Sequence, residues 1–168
     1  MEVDLLGRRD HQGAKRGDLT GPNPTDRAKS GCKRHVLSDG RGVPLGLRIS
    51  GANIHDKWGA TPTVDDAARH APGAQRRAKN CCMDKGYDYA DVERDMKRRR
   101  IIAHIRRRGE PPLIGCVKGK PRRWVVERTN AWHNCYRGLR TRWETKGCNY
   151  LALCQLACGL IAFRTALW

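Results

Sequence analysis

Two short apolar segments on either side of a charged segment constrain the fold of this chain most. We predict a buried strand over residues 78–83, a charged helix over residues 89–100 and a β-branched strand over residues 101–105. A strand, a helix and a second strand in this order predict two parallel strands joined by a right-handed crossover. The sequence therefore predicts an α/β fold, in which helices flank a sheet.

The segments on either side add further elements. Residues 33–38 and 43–50 flank the turn "DGRG", and apolar residues alternate along the second of them, which predicts a half-buried β-hairpin. We predict helices over residues 65–70, 122–143 and 149–167. On the second of these helices one apolar stripe is expected, and Glu127 lies off it. The stripe consists of Val125, Trp132, Cys135, Leu139 and Trp143.

Charge narrows the class of partner. Lys and Arg number 34 against 17 Asp and Glu, which gives a formal net charge of +17. A single basic run is usually a solvated face, but this excess extends over the whole chain and predicts a polyanionic partner, most simply nucleic acid. We found no apolar run near the roughly 20 residues that cross a bilayer, and no secretory signal, so we expect a cytoplasmic protein that does not enter a membrane. The eight cysteines form no Cys-x-x-Cys pair, which favours reduced, buried thiols over disulfides or zinc.

Two carboxylates stand out as candidate ligands. Asp84 follows the predicted strand 78–83 and precedes Gly86, so it lies at the edge of a parallel sheet where ligands bind. A buried carboxylate there requires a cation or a metal, although Asp84 could equally cap the next turn through its side chain. Glu127 could be a second ligand, or an ordinary surface glutamate paired with Arg123 or Arg128.

Several motifs in a fixed order resemble one known family. The segments "TGPNPTDRAKSGCKRHVLSDGRGVPLGLRISGANIHD", "MDKGYD", "RRWVVERTNAWHNCYRGLRTRWETKG" and "YLALCQLACGLIAF" resemble the catalytic half of bacterial insertion-sequence transposases, which carry a DDE carboxylate triad. The resemblance extends from Thr20 to the C-terminus. It implies an RNase H-like mixed sheet flanked by helices, with Asp84 and Glu127 as the second and third ligands of Mg²⁺ or Mn²⁺. His55 and Asp56 of "GANIHD" are expected to close a loop, not to bind metal.

The N-terminal segment departs from that family. The family's spacing places its first aspartate near Gly7, whereas the nearest acidic residues of this chain are Asp4 and Asp10. We keep Asp4 as the better candidate for the missing metal ligand. Residues 1–19 are therefore predicted to be an irregular or degraded segment with an incomplete first strand, and residues 20–168 a partial catalytic domain. The chain is interpreted as an N-terminally truncated copy.

The resemblance implies DNA transposition, with metal-dependent strand cleavage and strand transfer at the ends of an insertion sequence. The alternatives are a non-catalytic DNA-binding remnant and an RNase H-like nuclease. The implied partners are element ends and target DNA, in the bacterial cytoplasm at the nucleoid, and a homodimer on DNA is left open. The predicted DNA-contacting residues are Lys85, Arg122, Arg123, Arg128, Arg137, Arg140, Arg142 and Lys146.

Overall fold

The computed structural model describes residues 3–12, 17–24, 27–70, 79–105 and 123–167, and for residues 3–12 and 123 it describes the backbone alone. The strands are β1 (Val3–Gln12), β2 (Gly21–Pro22), β3 (Ser30–Ser38), β4 (Pro44–Gly51), β5 (Asn80–Met83) and β6 (Ile102–Ile105). The helices are α1 (Lys57–His70), α2 (Ala90–Arg98), α3 (Arg123–Asn134), α4 (Arg137–Arg140) and α5 (Gly147–Ala166).

These strands form one mixed sheet. The strands lie in the spatial order β4-β3-β1-β5-β6. Strand β3 is antiparallel to both β4 and β1, and β5 is parallel to both β1 and β6. The two-residue strand β2 pairs with the start of β3. The parallel pair β5–β6, joined through α2, and the hairpin β3–β4 were both predicted from the sequence. The mixed α/β architecture is therefore confirmed.

The first strand corrects the sequence analysis. Strand β1 is ten residues long and lies in the middle of the sheet, where it pairs with β3 on one side and β5 on the other. The prediction of an irregular segment over residues 1–19 is therefore wrong for Val3–Gln12. Charged residues at positions 8–10 obscure the strand in the sequence, whereas partners on both edges satisfy its backbone hydrogen-bonding groups.

Helices cover both faces of the sheet with separate apolar cores. Helices α1 and α2 pack on one face, where the buried side chains include Leu37, Ala60, Val64, Cys81, Met83, Tyr87, Val92 and Met96. Helices α4 and α5 pack on the other face around Cys32, Val36, Leu47, Leu139, Tyr150, Cys154 and Ala157. Helix α3 lies on this second face, against β1 and β3.

Two helices differ from their predicted bounds. Helix α1 begins at Lys57 instead of residue 65, and Pro62 lies inside it. The predicted helix over residues 122–143 is wrong in its second half, because α3 ends at Asn134 and only the short α4 follows. Trp143, assigned to a buried stripe, is 75% exposed.

Helix α5 also differs from expectation. Its 20 residues are long and apolar enough to cross a bilayer by length and composition, so the statement that no apolar run approaches this length is wrong. One side of the helix, including Tyr150 and Cys154, belongs to the core. Core helices of soluble proteins pass the same length and composition test. The other side exposes Leu153, Leu156, Leu160 and Phe163.

The cysteines follow the prediction in part. All seven in the described residues are free, and Cys32, Cys81 and Cys154 are buried. Cys135 and Cys148 are exposed, so the prediction of buried thiols is wrong for these two.

Candidate metal centre and nucleic-acid interface

Asp84 directly follows β5, and its side chain lies on the face of the sheet that α3 covers. Its backbone is extended, with φ −70° and ψ 158°. Side chains alternate between the two faces of a strand, so Asp84 shares the face of Cys82, two residues earlier. Cys82 packs against Val125 and Val126 of α3. The carboxylate of Asp84 is therefore directed to the side of the sheet on which α3 lies.

The carboxylate of Asp84 also caps the turn that follows it. Its Oδ1 accepts a hydrogen bond of 2.7 Å from the backbone N–H of Lys85, and its carbonyl accepts one of 2.9 Å from the N–H of Tyr87. The capping role that we kept as an alternative is thus present. It uses one carboxylate oxygen, and no hydrogen bond to Oδ2 occurs within the part of the chain that the structure describes. Capping is therefore compatible with coordination of a cation by Oδ2.

Glu127 lies on α3 beside the residues that contact the sheet. Val125 and Val126 are 3% and 7% exposed, whereas Glu127 is exposed. Val126 packs against Cys82, two residues before Asp84, and Glu127 follows Val126 on α3. That the carboxylates of Asp84 and Glu127 share one cation stays a prediction.

The register of the sheet places Gly7 level with Asp84, where the resemblance implies the first carboxylate. Leu6 pairs with Met83 in the parallel β1–β5 ladder, so Gly7 lies beside Asp84. Asp4 pairs with Cys81, which puts its backbone about 10 Å before Gly7 at roughly 3.3 Å per residue. The register thus places Asp4 three residues away from the point of β1 that lies level with Asp84, and its role as a metal ligand stays a prediction.

Asp10 is equally distant on the other side, where it pairs with Lys33 of β3. Among the described side chains no group of three His, Cys, Asp or Glu could hold a metal ion. The assignment of Asp84 and Glu127 as metal ligands therefore stays a prediction.

Four of the predicted DNA-contacting cations lie at the surface. These are Lys85, Arg137, Arg140 and Lys146. Arg128 is partly buried between two rings of its own helix, 4.6 Å from the centroid of Trp124 and 5.0 Å from that of Trp132, and it donates to the carbonyl of Arg41. The side chains of Arg122 and Arg123 lie outside the described residues.

Arg142 corrects the predicted interface. Its side chain is buried, and the residue is 1% exposed. The guanidinium donates to the carbonyls of Glu144 at 2.8 Å and Asp18 at 2.6 Å, and it lies 5.1 Å from the ring centroid of Tyr150. It holds the segment before α5 against residues 18–19, so the prediction that Arg142 contacts DNA is wrong.

The sequence analysis missed how the "DKGY" turn is supported. Asp56 is buried and forms an ion pair of 3.0 Å with Lys33, both side chains being 7% exposed. A Cβ added to Gly86 would lie 2.5 Å from Oδ2 of Asp56, so a larger residue there would displace the carboxylate that pairs with Lys33. Asp56 closes the loop after β4, as expected, and its carboxylate also lies close to the turn that follows Asp84. A buried acidic residue close to a glycine of another loop has no signature in the sequence.

Tyr87 anchors the same turn from within the core. It is fully buried, and its hydroxyl is 2.8 Å from Nδ1 of His35. The second ring nitrogen of His35 is 2.9 Å from Oγ of Ser50. This chain of hydrogen bonds ties the turn after β5 to strands β3 and β4.

A buried polar group lies under α3. His133 is fully buried, its Nε2 is 3.3 Å from Sγ of Cys158, and desolvation lowers its pKa to about 3, helped by the nearby charge of Arg34. Arg34 is itself fully buried and donates to Oδ1 of Asn134 at 2.8 Å. A neutral imidazole beside a buried guanidinium avoids placing two positive charges side by side in the core.

Comparison with solved structures supports the fold. The piggyBac transposase in a synaptic complex with hairpin DNA superposes with a TM-score of 0.54 at 9% identity, over 95% of this chain and 45% of that one. The catalytic core domain of BIV integrase matches 93% of this chain and 80% of that one, at 14% identity and a TM-score of 0.44. The first of these likenesses shows that the chain shares the RNase H-like fold.

Comparison of sequences gives the family. A putative transposase for insertion sequence element IS402 of Burkholderia cepacia is 38% identical over 149 residues, which cover 87% of this chain and 69% of that protein. The sequence model of the family described as "Transposase DDE domain" matches residues 8–161, from within β1 to within α5. This chain belongs to the family of insertion-sequence transposases with a DDE domain.

Proposed function

We propose that this chain is a DNA-transposition domain whose cleft binds DNA and holds Mg²⁺ or Mn²⁺ through Asp84 and Glu127. The observation that carries the proposal is the packing of Val125 and Val126 on Cys82, which brings α3 over the end of β5. Asp84 then contributes a carboxylate from the sheet, and Glu127 one from the helix. Because the chain belongs to a family of transposases with a DDE domain, we take divalent ions and DNA as the ligands of this site.

The residues of the cleft would act by holding charge in place. Divalent cations bound there would activate the attacking oxygen and stabilise the leaving oxygen of a phosphodiester. Asp84 is preorganised for this role because Lys85 fixes one of its oxygens and Gly86 and Tyr87 fix the turn behind it. In the proposed reaction a water first attacks the phosphodiester at the element end, and the freed 3′-hydroxyl then attacks target DNA.

Gly7 favours a second candidate function, a DNA-binding domain with little catalysis. With glycine level with Asp84, the cleft lacks a carboxylate at that point of the ladder. A cation that prefers near-octahedral oxygen coordination is then held by fewer protein ligands. DNA binding does not depend on this position, because it arises from the +17 net charge. Action at the nucleoid and a homodimer on DNA belong to the same proposal.

The experiment separates binding from cleavage. Labelled duplex DNA is titrated at several salt concentrations, and affinity should fall by about 0.9 log units per tenfold salt for each phosphate neutralised. Nicking is then assayed with Mg²⁺ or Mn²⁺ for the unaltered chain and for Gly7→Asp, with Gly7→Asn as the uncharged isosteric control. We expect weak nicking by the unaltered chain, and an increase of at least about tenfold, roughly 1.4 kcal/mol in the barrier, for Gly7→Asp alone.

Further variants test the two assigned ligands. In the Gly7→Asp background, Asp84→Asn and Glu127→Gln should each abolish nicking, whereas Glu93→Gln, an exposed glutamate on α2, should not. Salt-insensitive binding would refute the DNA interface, and nicking that survives Asp84→Asn would refute the metal centre. Nicking without joining of the 3′ end to a target strand would instead support the nuclease.

A further inference from the structure

Two exposed aromatic side chains lie at the end of the sheet at which Asp84 lies. Trp58, in the first turn of α1, is 64% exposed, and Tyr89, immediately before α2, is 39% exposed. Neither belongs to the core on that face of the sheet, which α1 builds from residues such as Ala60 and Val64. Their exposure is therefore not required by the packing of the fold.

Charged and polar neighbours hold the two rings together. Lys57 places its Nζ 4.9 Å from the ring centroid of Trp58 and 5.3 Å from that of Tyr89. Asp91 fixes that ammonium group at 3.1 Å. His55 meets Tyr89 edge to face at 4.8 Å, with its Nε2 2.8 Å from the tyrosine hydroxyl. We call the set His55, Lys57, Trp58 and Tyr89 the aromatic shelf.

The aromatic shelf lies at the same edge of the sheet as Asp84. Strands β4 and β5 both end at this edge, because β4 and β1 each run antiparallel to β3, and β5 runs parallel to β1. The backbone connects the two sites directly: the N–H of Tyr89 donates to the carbonyl of Tyr87, whose own N–H donates to the carbonyl of Asp84, both at 2.9 Å. Backbone hydrogen bonds thus join the segment that carries Tyr89 to the turn that follows Asp84.

The chemistry of the shelf matches a nucleobase next to a phosphate. A tryptophan with most of its surface open offers a face on which any base can stack, and an ammonium group beside it suits the adjoining phosphate. An ordinary surface cation–π cluster would show the same distances. Its position at the edge of the sheet that carries Asp84, in a domain proposed to act on DNA, distinguishes the shelf from such a cluster.

We propose that the aromatic shelf binds an unpaired nucleobase of a DNA strand that enters the cleft, with Trp58 as the stacking residue. The inference rests on the proposed function, since it takes DNA as the substrate. It adds a preference for DNA with unpaired bases near the scissile phosphate, which phosphate contacts alone do not provide.

The test measures binding without catalysis. The full chain is titrated in EDTA with a blunt duplex, with the same duplex carrying a three-nucleotide single-stranded end, and with a matched end in which the three bases are abasic. The variants are Trp58→Ala, Trp58→Phe and, as the matched control, Trp143→Ala, an exposed tryptophan between α4 and α5. Circular dichroism confirms that each variant is folded.

The expected result is specific to the bases. Trp58→Ala should weaken binding to the single-stranded end by roughly 5- to 150-fold, the range of one stacked base, and leave the blunt and abasic duplexes within twofold. Trp58→Phe should retain most of the affinity, and Trp143→Ala should retain all of it. Equal losses on all three DNAs, or equal losses in Trp58→Ala and Trp143→Ala, would overturn the proposal. Failure to bind any DNA would refute the proposed function itself, whereas binding without preference for unpaired bases would refute the shelf alone.

Discussion

The buried ion pair between Lys33 and Asp56 predicts an unusually large loss of stability. Both side chains are 7% exposed and their charges are 3.0 Å apart. Asp56→Ala would leave the ammonium group of Lys33 buried without its counter-charge, which costs about 3–5 kcal/mol. For a domain of this length each kcal/mol lowers the melting temperature by about 2–4 °C, so we expect a fall of roughly 6–20 °C.

Urea unfolding followed by tryptophan fluorescence measures this loss directly. The double variant Lys33→Met with Asp56→Ala should recover part of the lost free energy of unfolding, because no unpaired charge stays buried. Arg98→Ala is the matched control, since it removes an exposed ion pair of similar separation, 3.3 Å, and should cost under about 1 kcal/mol. A loss below about 1 kcal/mol for Asp56→Ala, or a double variant as unstable as the sum of the single ones, would refute this reasoning.

Three further predictions concern protonation, thiols and salt. Burial lowers the pKa of His133 to about 3 in the folded chain, against 6.5 in the unfolded chain, so below pH 6.5 the unfolded state binds the extra proton. The free energy of unfolding should therefore fall as the pH drops below 6.5, by up to about 1.4 kcal/mol per pH unit. Urea titrations at several pH values should show a shallower fall for His133→Gln. Burial raises the pKa of Cys154 to about 11, so at pH 8 iodoacetamide followed by peptide mass spectrometry should find Cys148 modified and Cys154 unmodified until the chain unfolds. Because Arg142 is buried, Arg142→Ala should lower the melting temperature without changing the salt dependence of DNA binding. Arg140 is exposed, so Arg140→Ala should reduce the slope of log affinity against log salt by about 0.9. The opposite pattern would place the buried Arg142 at the DNA interface.

Local patterns predicted much of the sheet and its helices. The turn "DGRG" and the alternating apolar residues after it predicted the hairpin β3–β4, and the order of apolar and charged segments predicted β5, α2 and β6. The bounds of α5 were predicted within two residues because its apolar composition is unbroken. In each case the signal lies within one short segment, where periodicity is informative.

Features that depend on tertiary contacts were not predictable. Strand β1 carries Arg8, Arg9 and Asp10, and only its pairing with β3 and β5 makes it a central strand. Arg142 is indistinguishable in the sequence from exposed arginines, because the carbonyls that bury it come from residues 18–19 and 144–145. The candidate ligand Asp84 was found by its place after a strand. The family's spacing had already placed the first aspartate near Gly7, and the register shows that Gly7 lies level with Asp84.

The placement of β1 has a consequence for how the chain folds. Strand β1 lies at the start of the chain, yet its neighbour β5 lies 77 residues further along, as in the pair of Val3 and Asn80. The β1–β3–β4 sheet closes over much shorter loops, and so does the β5–α2–β6 unit. Because long loops cost more entropy to close and slow folding, the docking of these two halves should be the late step. Asp84 follows β5 in the second of these units, whereas Glu127 lies on α3, which packs against β1 and β3, so the two carboxylates should come together only when that docking is complete.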